Sequence, residues 1–239
     1  MHRFIFLGPP AAGKGAQAAK LSGYLSIPHI STGEMLRAVA ESGTERGRVV
    51  KKYLSSGMLV PDELVTELLM NRLKEADAKR GFILDGYPRT IGQAEALEKA
   101  RVEIDRVFYF TASDEVLIKR IAGRFSCPSC GAVFNRYFDP PPEEGKCRCG
   151  SELIRRSDDT VEVVGERLRQ YREKTESLIE YYRLKGVLVE IDSSLSIERV
   201  FEAVLSALSS EGMQKRQSRT RGERNVDFTQ NKSEDPRRD

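Results

Sequence analysis

The sequence predicts a three-layer α/β fold in which a parallel sheet of five strands carries helices on both faces. Two observations predict this fold. Short β-rich runs alternate with helical patterns along most of the chain, which is typical of parallel strands joined by crossover helices. A glycine-containing loop also follows the first apolar run and leads straight into a helical segment, a junction typical of phosphate-binding α/β proteins.

The alternation assigns the elements in chain order. Strands are predicted at Phe4–Leu7, His29–Ile30, Phe82–Leu84, Val107–Phe110 and Val187–Ile191. Helices are predicted between them, at Lys14–Tyr24, Gly33–Ser42, Gly47–Ser56, Asp62–Lys79, Ile91–Ala100, Asp114–Arg124, Thr160–Lys185 and Ser196–Ser209. The core domain therefore comprises residues 1–125 and 159–210.

Two segments depart from this pattern. Residues 126–158 contain a turn-forming run of three prolines and short alternating stretches, which indicate a small β-rich insert. Residues 211–239 have almost no apolar side chains and are expected to be disordered.

The first loop, from Gly8 to Lys14, has the spacing of a phosphate-binding loop, or P-loop. Gly8 and Gly13 bracket four small or rigid residues, so the backbone N–H groups can curl around one point. Lys14 follows at the start of a helix, whose N-terminus adds a positive dipole end. Such a site binds the β- and γ-phosphates of a nucleoside triphosphate.

Composition narrows the class of protein. The chain has 239 residues, 39% hydrophobic content and a formal net charge of +3, part of which lies in the C-terminal tail. This balance does not indicate bulk nucleic-acid binding, and no apolar stretch is long enough to cross a membrane. A Gly-Pro-Pro turn and a lysine interrupt the N-terminus, which argues against a signal peptide and favours a cytoplasmic location.

The four cysteines all lie in the insert, as Cys127-Pro-Ser-Cys130 and Cys147-Arg-Cys149. Clustered cysteines in a cytosolic protein favour a metal over disulfides, and the first pair has the spacing of a zinc knuckle. The second pair is tighter than usual, so free thiols or a disulfide remain an alternative.

Asp85 ends an apolar run, at the edge where α/β sheets bind ligands, and it is followed by Gly86. A carboxylate there can hold Mg²⁺ through water, although Asp-Gly is also a common turn sequence. Thr32 suits a helix N-cap. His2 and His29 have no carboxylate or cysteine beside them in the sequence and are expected to be structural.

These segments together resemble the adenylate kinase family, in order and in spacing, over about residues 1–209. The resemblance rests on the P-loop, Ser31–Arg37, Gly57–Asp62, Phe82–Thr90 with Gln93, Arg155–Asp159 and Arg167. It implies a monomer that transfers a phosphoryl group from ATP with Mg²⁺ to AMP, giving two ADP, with no nucleic-acid or membrane partner. A helical AMP-binding segment would cover 31–60, and a lid with a structural zinc would cover 126–158.

The resemblance also implies the site residues. The catalytic set is Lys14, Asp85, Arg89, Arg124, Arg156 and Arg167. The ATP-binding set is Ala11, Ala12, Gly13, Lys14, Gly15, Ala16, Arg120, Arg124, Val133, Phe134 and Leu195, with Arg120 packing on the adenine. The AMP-binding set is Thr32, Arg37, Met58, Leu59, Val60, Gly86, Tyr87, Pro88, Arg89, Gln93, Arg156 and Arg167. The zinc ligands are Cys127, Cys130, Cys147 and Cys149.

Two P-loop residues depart from the family pattern, because Ala11 stands for the usual Gly and Ala16 for the usual Thr. Ala11 suits the loop only if its position does not need a positive φ. A kinase that uses GTP as donor is the nearest alternative function. A zinc-ribbon interaction or nucleic-acid-binding protein with a vestigial kinase site is the alternative from another class.

Overall fold

The computed structural model describes residues 2–156 and 159–209, and it confirms the predicted α/β architecture. The strands are β1 His2–Leu7, β2 His29–Ser31, β3 Gly81–Asp85, β4 Arg106–Thr111, β5 Arg124–Ser126, β6 Val133–Asn135 and β7 Leu188–Asp192. The helices are α1 Lys14–Leu25, α2 Thr32–Glu41, α3 Glu45–Ser56, α4 Asp62–Leu73, α5 Ile91–Lys99, α6 Asp114–Ala122, α7 Val161–Gln170 and α8 Ser177–Leu184. Residues 210–239 lie outside the described residues, so the disorder predicted for 211–239 stays a prediction.

Five strands form one parallel sheet in the order β2-β3-β1-β4-β7. Each central strand has a buried apolar run, in which Phe4, Ile5, Ile83 and Phe108 are at most 1% exposed. Strands buried on both faces are expected to be continuous hydrophobic runs rather than alternating ones. This sheet fixes the P-loop at the end of β1 and Asp85 at the end of β3, two neighbouring positions on one edge.

Two predicted helices end earlier in the structure than expected. The segment predicted as Asp62–Lys79 is α4 followed by a separate 3₁₀ turn at Ala76–Arg80. Its break lies at Glu75, whose ψ of 151° is extended. The helix predicted to reach Arg124 ends at Ala122, because Arg124 begins the first lid strand.

The helix predicted over Thr160–Lys185 contains a π-helical turn at Tyr171–Thr175, between α7 and α8. Such turns mark a residue inserted into an α-helix. In this turn the Thr175 hydroxyl donates to the main-chain oxygen of Arg89, 2.9 Å away. The turn therefore connects the long helix to the loop that carries Arg89.

The insert, which we call the lid after the family resemblance, contains an antiparallel pair, β5 and β6, and one further bridge from Ser126 to Ile154. Its own core is Cys127, Phe134 and Cys147, with Ala132 and Leu153 packed against it.

The chain divides into two compact units, Met1–Phe201 and Glu202–Asp239. The first unit contains the sheet, the helices α1–α8 and the lid, and the described part of the second unit, 202–209, is helical. Among the described residues, no helix combines the length and the apolarity that crossing a bilayer requires.

Candidate active site

The P-loop runs from the end of β1 to the start of α1. Gly8 has a φ of +144°, and a Cβ there would lie 2.5 Å from the main-chain oxygen of Phe110, so only glycine fits. The Lys14 ammonium donates to the carbonyls of Gly8 and Pro9, 2.8 and 2.7 Å away. These contacts hold Lys14 over its own loop, at the N-terminus of α1.

Ala11 adopts a φ of +64°, in the left-handed region. The condition stated for Ala11 is therefore not met, because this position does need a positive φ. A side chain with a Cβ costs roughly 1–2 kcal/mol in that conformation, which glycine avoids. The loop keeps its shape at that cost.

Asp85 lies at the end of β3 beside the P-loop, and its Oδ2 would be 3.4 Å from a Cβ built on Gly15. Burial alone would raise the pKa of Asp85, but the hydrogen bond from His29 and the charge of Lys14 outweigh it. The pKa of Asp85 therefore lies below its ordinary value, and the group is an anion at neutral pH. A partly exposed carboxylate at this edge fits a water-mediated Mg²⁺ contact.

No carboxylate lies beside His29 in the sequence, but the structure places one next to its ring. His29 Nε2 lies 3.3 Å from Asp85 Oδ2 and donates to it, because an ionised carboxylate only accepts. His29 pairs with Ile83 across the β2–β3 register, so Asp85 is two residues further along on the same face. The sequence did not reveal this contact because it did not show that β2 and β3 are neighbours.

Four cations converge on the P-loop. Loss of hydration at the ammonium is the main reason that the pKa of Lys14 falls to about 8, although the side chain as a whole is only half-buried, and Asp85 opposes this shift. The positive charges of Arg89, Arg124 and Arg167 lower the pKa of Lys14 further. Such a concentration of positive charge suits a transferred phosphoryl group.

Asp159 holds two of these arginines in place. Its carboxylate forms a two-point hydrogen bond with the Arg124 guanidinium, with Nε and Oδ2 2.7 Å apart, and it lies 3.7 Å from Arg167. The Asp159 side chain is 3% exposed. Asp159 was not among the site residues that the resemblance implied.

Arg120 and Arg156, the other two arginines that flank the lid, have separate partners. Arg120 donates to the main-chain oxygen of Ser193 at 2.6 Å and stacks on Phe138, with 5.1 Å between its guanidinium carbon and the ring centroid. Its buried Nη1 has no hydrogen-bond partner among the described residues and would lie 3.8 Å from a Cβ on Gly13. Arg156 donates to Ser126 Oγ at 2.7 Å. Arg120 thus leaves one donor beside the P-loop.

A second cleft lies between α2, α3 and the loop after β3. It brings together most of the predicted AMP-binding residues: Thr32, Arg37, Met58, Leu59, Val60, Gly86, Arg89, Gln93 and Arg167. Gly86 has a φ of +85°, and a Cβ there would lie 2.9 Å from Thr32 Oγ1. Tyr87 and Pro88 are buried and do not line this cleft.

Three predicted ATP-binding residues differ in their exposure to solvent. Val133 and Leu195 are exposed, at 44% and 52%. Phe134 instead packs between Cys127 and Cys147 in the lid core. Its ring is therefore occupied by the lid and is not presented to a ligand.

The four cysteine sulfurs lie within 4.8 Å of one another, and Cys127–Cys149 and Cys130–Cys147 are each separated by 3.5 Å. Sulfurs about 2.3 Å from a tetrahedral zinc lie roughly 3.8 Å apart. The four cysteines therefore fit a zinc site, and the tight Cys-x-Cys pair does not prevent its fourth ligand from reaching the others.

Comparisons with known proteins identify relatives of the chain. A sequence model of the adenylate kinase family matches residues 6–187. The chain is 48% identical over 214 residues to "Adenylate kinase" from Archaeoglobus fulgidus, an alignment that covers 86% of this chain and 99% of that protein. It is 47% identical over 211 residues to "Adenylate kinase" from Caldanaerobacter subterraneus, covering 86% and 96%.

Proposed function

Because this chain belongs to the adenylate kinase family and is a phosphotransferase that converts ATP and AMP to two ADP, we propose which of its residues perform each part of the reaction. The observation that carries the proposal is a group of cations beside the P-loop and Asp85: Asp159 joins Arg124 to Arg167, and Arg167 lines the acceptor cleft together with Arg89. The substrates are ATP, AMP and ADP.

The donor phosphates bind the N–H groups of residues 11–16, and Lys14 faces the transferred phosphoryl group. Arg124 and Arg167 come from the two sides of the lid and neutralise the charge that develops on that group. Arg120 and Arg156 complete the donor side, and the unpartnered Nη1 of Arg120 supports a contact with the nucleotide.

The acceptor binds in the second cleft, with its phosphate on Arg37 and Arg89 and its base near Gln93. Thr32, Leu59 and Val60 line the remaining surface. An AMP phosphate is already anionic, so it attacks in line without a general base and without a covalent enzyme intermediate. Closure of the lid over both nucleotides excludes water, which would otherwise accept the phosphoryl group.

Two metal ions belong to this proposal. Mg²⁺ bound with ATP would be held through water by Asp85 and would offset charge between the β- and γ-phosphates. Zinc would be held by Cys127, Cys130, Cys147 and Cys149 as a structural ion. Coordination of zinc by all four cysteines, in place of disulfides, supports a reducing compartment, the cytoplasm. Both clefts lie within one chain, which supports a monomer as the working unit.

The test is a coupled assay of ADP formation from ATP with each of four nucleoside monophosphates. We expect AMP to be used well ahead of GMP, CMP and UMP. Comparable kcat/KM values for UMP and AMP would contradict the assignment of the acceptor cleft. The same assay with GTP in place of ATP distinguishes the alternative donor.

A further inference from the structure

Gln93 is held at all four of its hydrogen-bonding groups. Its main-chain N–H donates to Thr90 Oγ1 at 3.1 Å, and its main-chain oxygen accepts from the Tyr87 hydroxyl at 3.0 Å. Its side-chain Nε2 donates to Asp62 Oδ1 at 2.8 Å, and its Oε1 accepts from the Arg89 N–H at 2.7 Å. Gln93 is 2% exposed and lines the acceptor cleft.

These partners determine which way the amide points. A glutamine amide can turn over and exchange its donor and acceptor ends unless its neighbours forbid it. An ionised Asp62 only accepts and the Arg89 N–H only donates, so the reversed amide would face two like groups. The contact with Asp62 uses one N–H of the Gln93 amide, and the contact with Arg89 uses one lone pair of its oxygen. One N–H and one lone pair of the amide are left for a ligand.

Asp62 is itself fixed by the helix that it begins. It is the first residue of α4 and directly follows Pro61. The two residues before Pro61, Leu59 and Val60, line the cleft. Its second oxygen, Oδ2, accepts from Thr90 Oγ1 at 2.5 Å. The carboxylate therefore joins the start of α4 to the start of α5 and cannot turn away from Gln93 without losing both hydrogen bonds.

The order of donor and acceptor distinguishes purine bases. Adenine carries an amino donor at C6 beside ring-nitrogen acceptors, whereas a 6-oxo purine carries an acceptor at that position. A locked amide that matches adenine is mismatched to a 6-oxo purine, and an amide that can turn over adapts to either.

We propose that Asp62 is a positioning residue that sets base selectivity in the acceptor site by locking the Gln93 amide. This inference rests on the proposed role of Gln93 in binding the acceptor base. Asp62 is not among the residues that line the cleft and reaches the base through Gln93, so its removal should change the choice between acceptors rather than the chemical step.

The experiment compares kcat/KM for AMP and IMP in the full-length enzyme, wild type and Asp62→Asn. Asparagine keeps the shape of the side chain but can donate or accept, so it permits either orientation of Gln93. Because the Arg89 N–H remains, we expect the AMP-to-IMP ratio to fall by about tenfold, the value of one hydrogen bond to a charged group. The change should appear mainly in KM for AMP, with kcat retained.

The matched control is Asp105→Asn. Asp105 has the same class of partial burial and accepts from a main-chain N–H, that of Arg3 at 2.9 Å, but it lies outside both clefts. This control should leave the AMP-to-IMP ratio unchanged. If Asp62→Asn does not fold, Asp62→Ser gives the same comparison with a residue that suits the first turn of a helix.

Gln93→Ala separates the two proposals. If Gln93→Ala keeps the wild-type ratio, the role of Gln93 in base binding is wrong. If the AMP-to-IMP ratio falls in Gln93→Ala but stays at the wild-type value in folded Asp62→Asn, the inference about Asp62 is overturned. An equal fall for AMP and IMP in Asp62→Asn would also overturn it, because a merely structural residue weakens both acceptors alike.

Discussion

The parallel sheet and the lid differ in what holds their strands together. In the sheet, Phe4, Ile5 and Ile83 are at most 1% exposed, and they lie on the paired strands β1 and β3. In the lid, the buried cluster consists of one phenylalanine and two cysteines, and both cysteines belong to the proposed zinc site. A core this small buries too little apolar surface to be stable alone, so we expect the lid to depend on the proposed zinc and the sheet not to.

The largest expected effect tests whether a residue at the sheet edge can be essential for catalysis without contributing to the stability of the sheet. Lys14→Ala should lower kcat by roughly 10²- to 10³-fold, because it removes the cation aimed at the transferred phosphoryl group. The melting temperature should not fall, since the ammonium is partly dehydrated and contributes nothing to the apolar core. Turnover close to that of the wild type would contradict the P-loop assignment.

The pH dependence of kcat/KM should report the same group. The pKa of Lys14 is about 8, and the ammonium is the form that binds phosphate, so activity should fall as pH rises above 8. At pH 9 the loss should be about tenfold. Nucleotide phosphates are fully ionised by then, with second pKa values near 6. Lys14→Arg, which does not titrate in this range, should remove the alkaline limb.

Removal of zinc should loosen the lid and leave the sheet intact. Protein purified without chelator should contain close to one zinc per chain. With Cys127→Ser and Cys130→Ser combined, hydrogen exchange should rise at 124–156 and not in the sheet strands, and the melting temperature should fall by roughly 5 °C. Ser129→Ala in the same turn is the matched control. Absence of metal with unchanged stability, or simultaneous unfolding of lid and sheet, would break the comparison.

The smallest expected effect concerns strain in the P-loop. Ala11→Gly should stabilise the protein by about 1 kcal/mol, because glycine adopts a φ of +64° without a Cβ clash. This corresponds to a rise in melting temperature of roughly 2–4 °C. Ser26→Gly, at a φ of +54° after α1 and outside the loop, should give a similar rise without any change in KM for ATP. A fall in stability for Ala11→Gly alone would contradict the strain.

The sequence predicted the sheet well because continuous apolar runs between polar segments leave few other structures for those residues. The P-loop and Asp85 were predictable for a related reason, since each follows such a run directly. Contacts between elements were not predictable in this way. His29 and Asp85 are 56 positions apart, and Asp62 and Gln93 are 31 positions apart. Each pair meets only because of how strands or helices are ordered in space.

Helix interiors were predictable and their irregularities were not. Nothing in the composition of Tyr171–Thr175 distinguishes it from the helix on either side, because the π turn is stabilised by a distant partner, the main-chain oxygen of Arg89. The predicted role of Phe134 is not supported by its position for a similar reason. Its burial depends on the sulfurs around it, which the alternating lid sequence does not reveal.

The π turn also determines which length changes the chain can tolerate. Arg167 lies before it and faces the catalytic cations, whereas Leu178 and Tyr182 lie after it and are at most 4% exposed. A π turn takes up one residue more than an α turn over nearly the same rotation, so deleting one residue within 171–175 would restore a regular α-helix with both halves still in phase. A one-residue insertion or deletion elsewhere in the long helix would instead rotate one half against the other by about 100°, and either the arginine or the two core side chains would then point the wrong way. We therefore expect single-residue length changes in this helix to fall at the π turn during divergence.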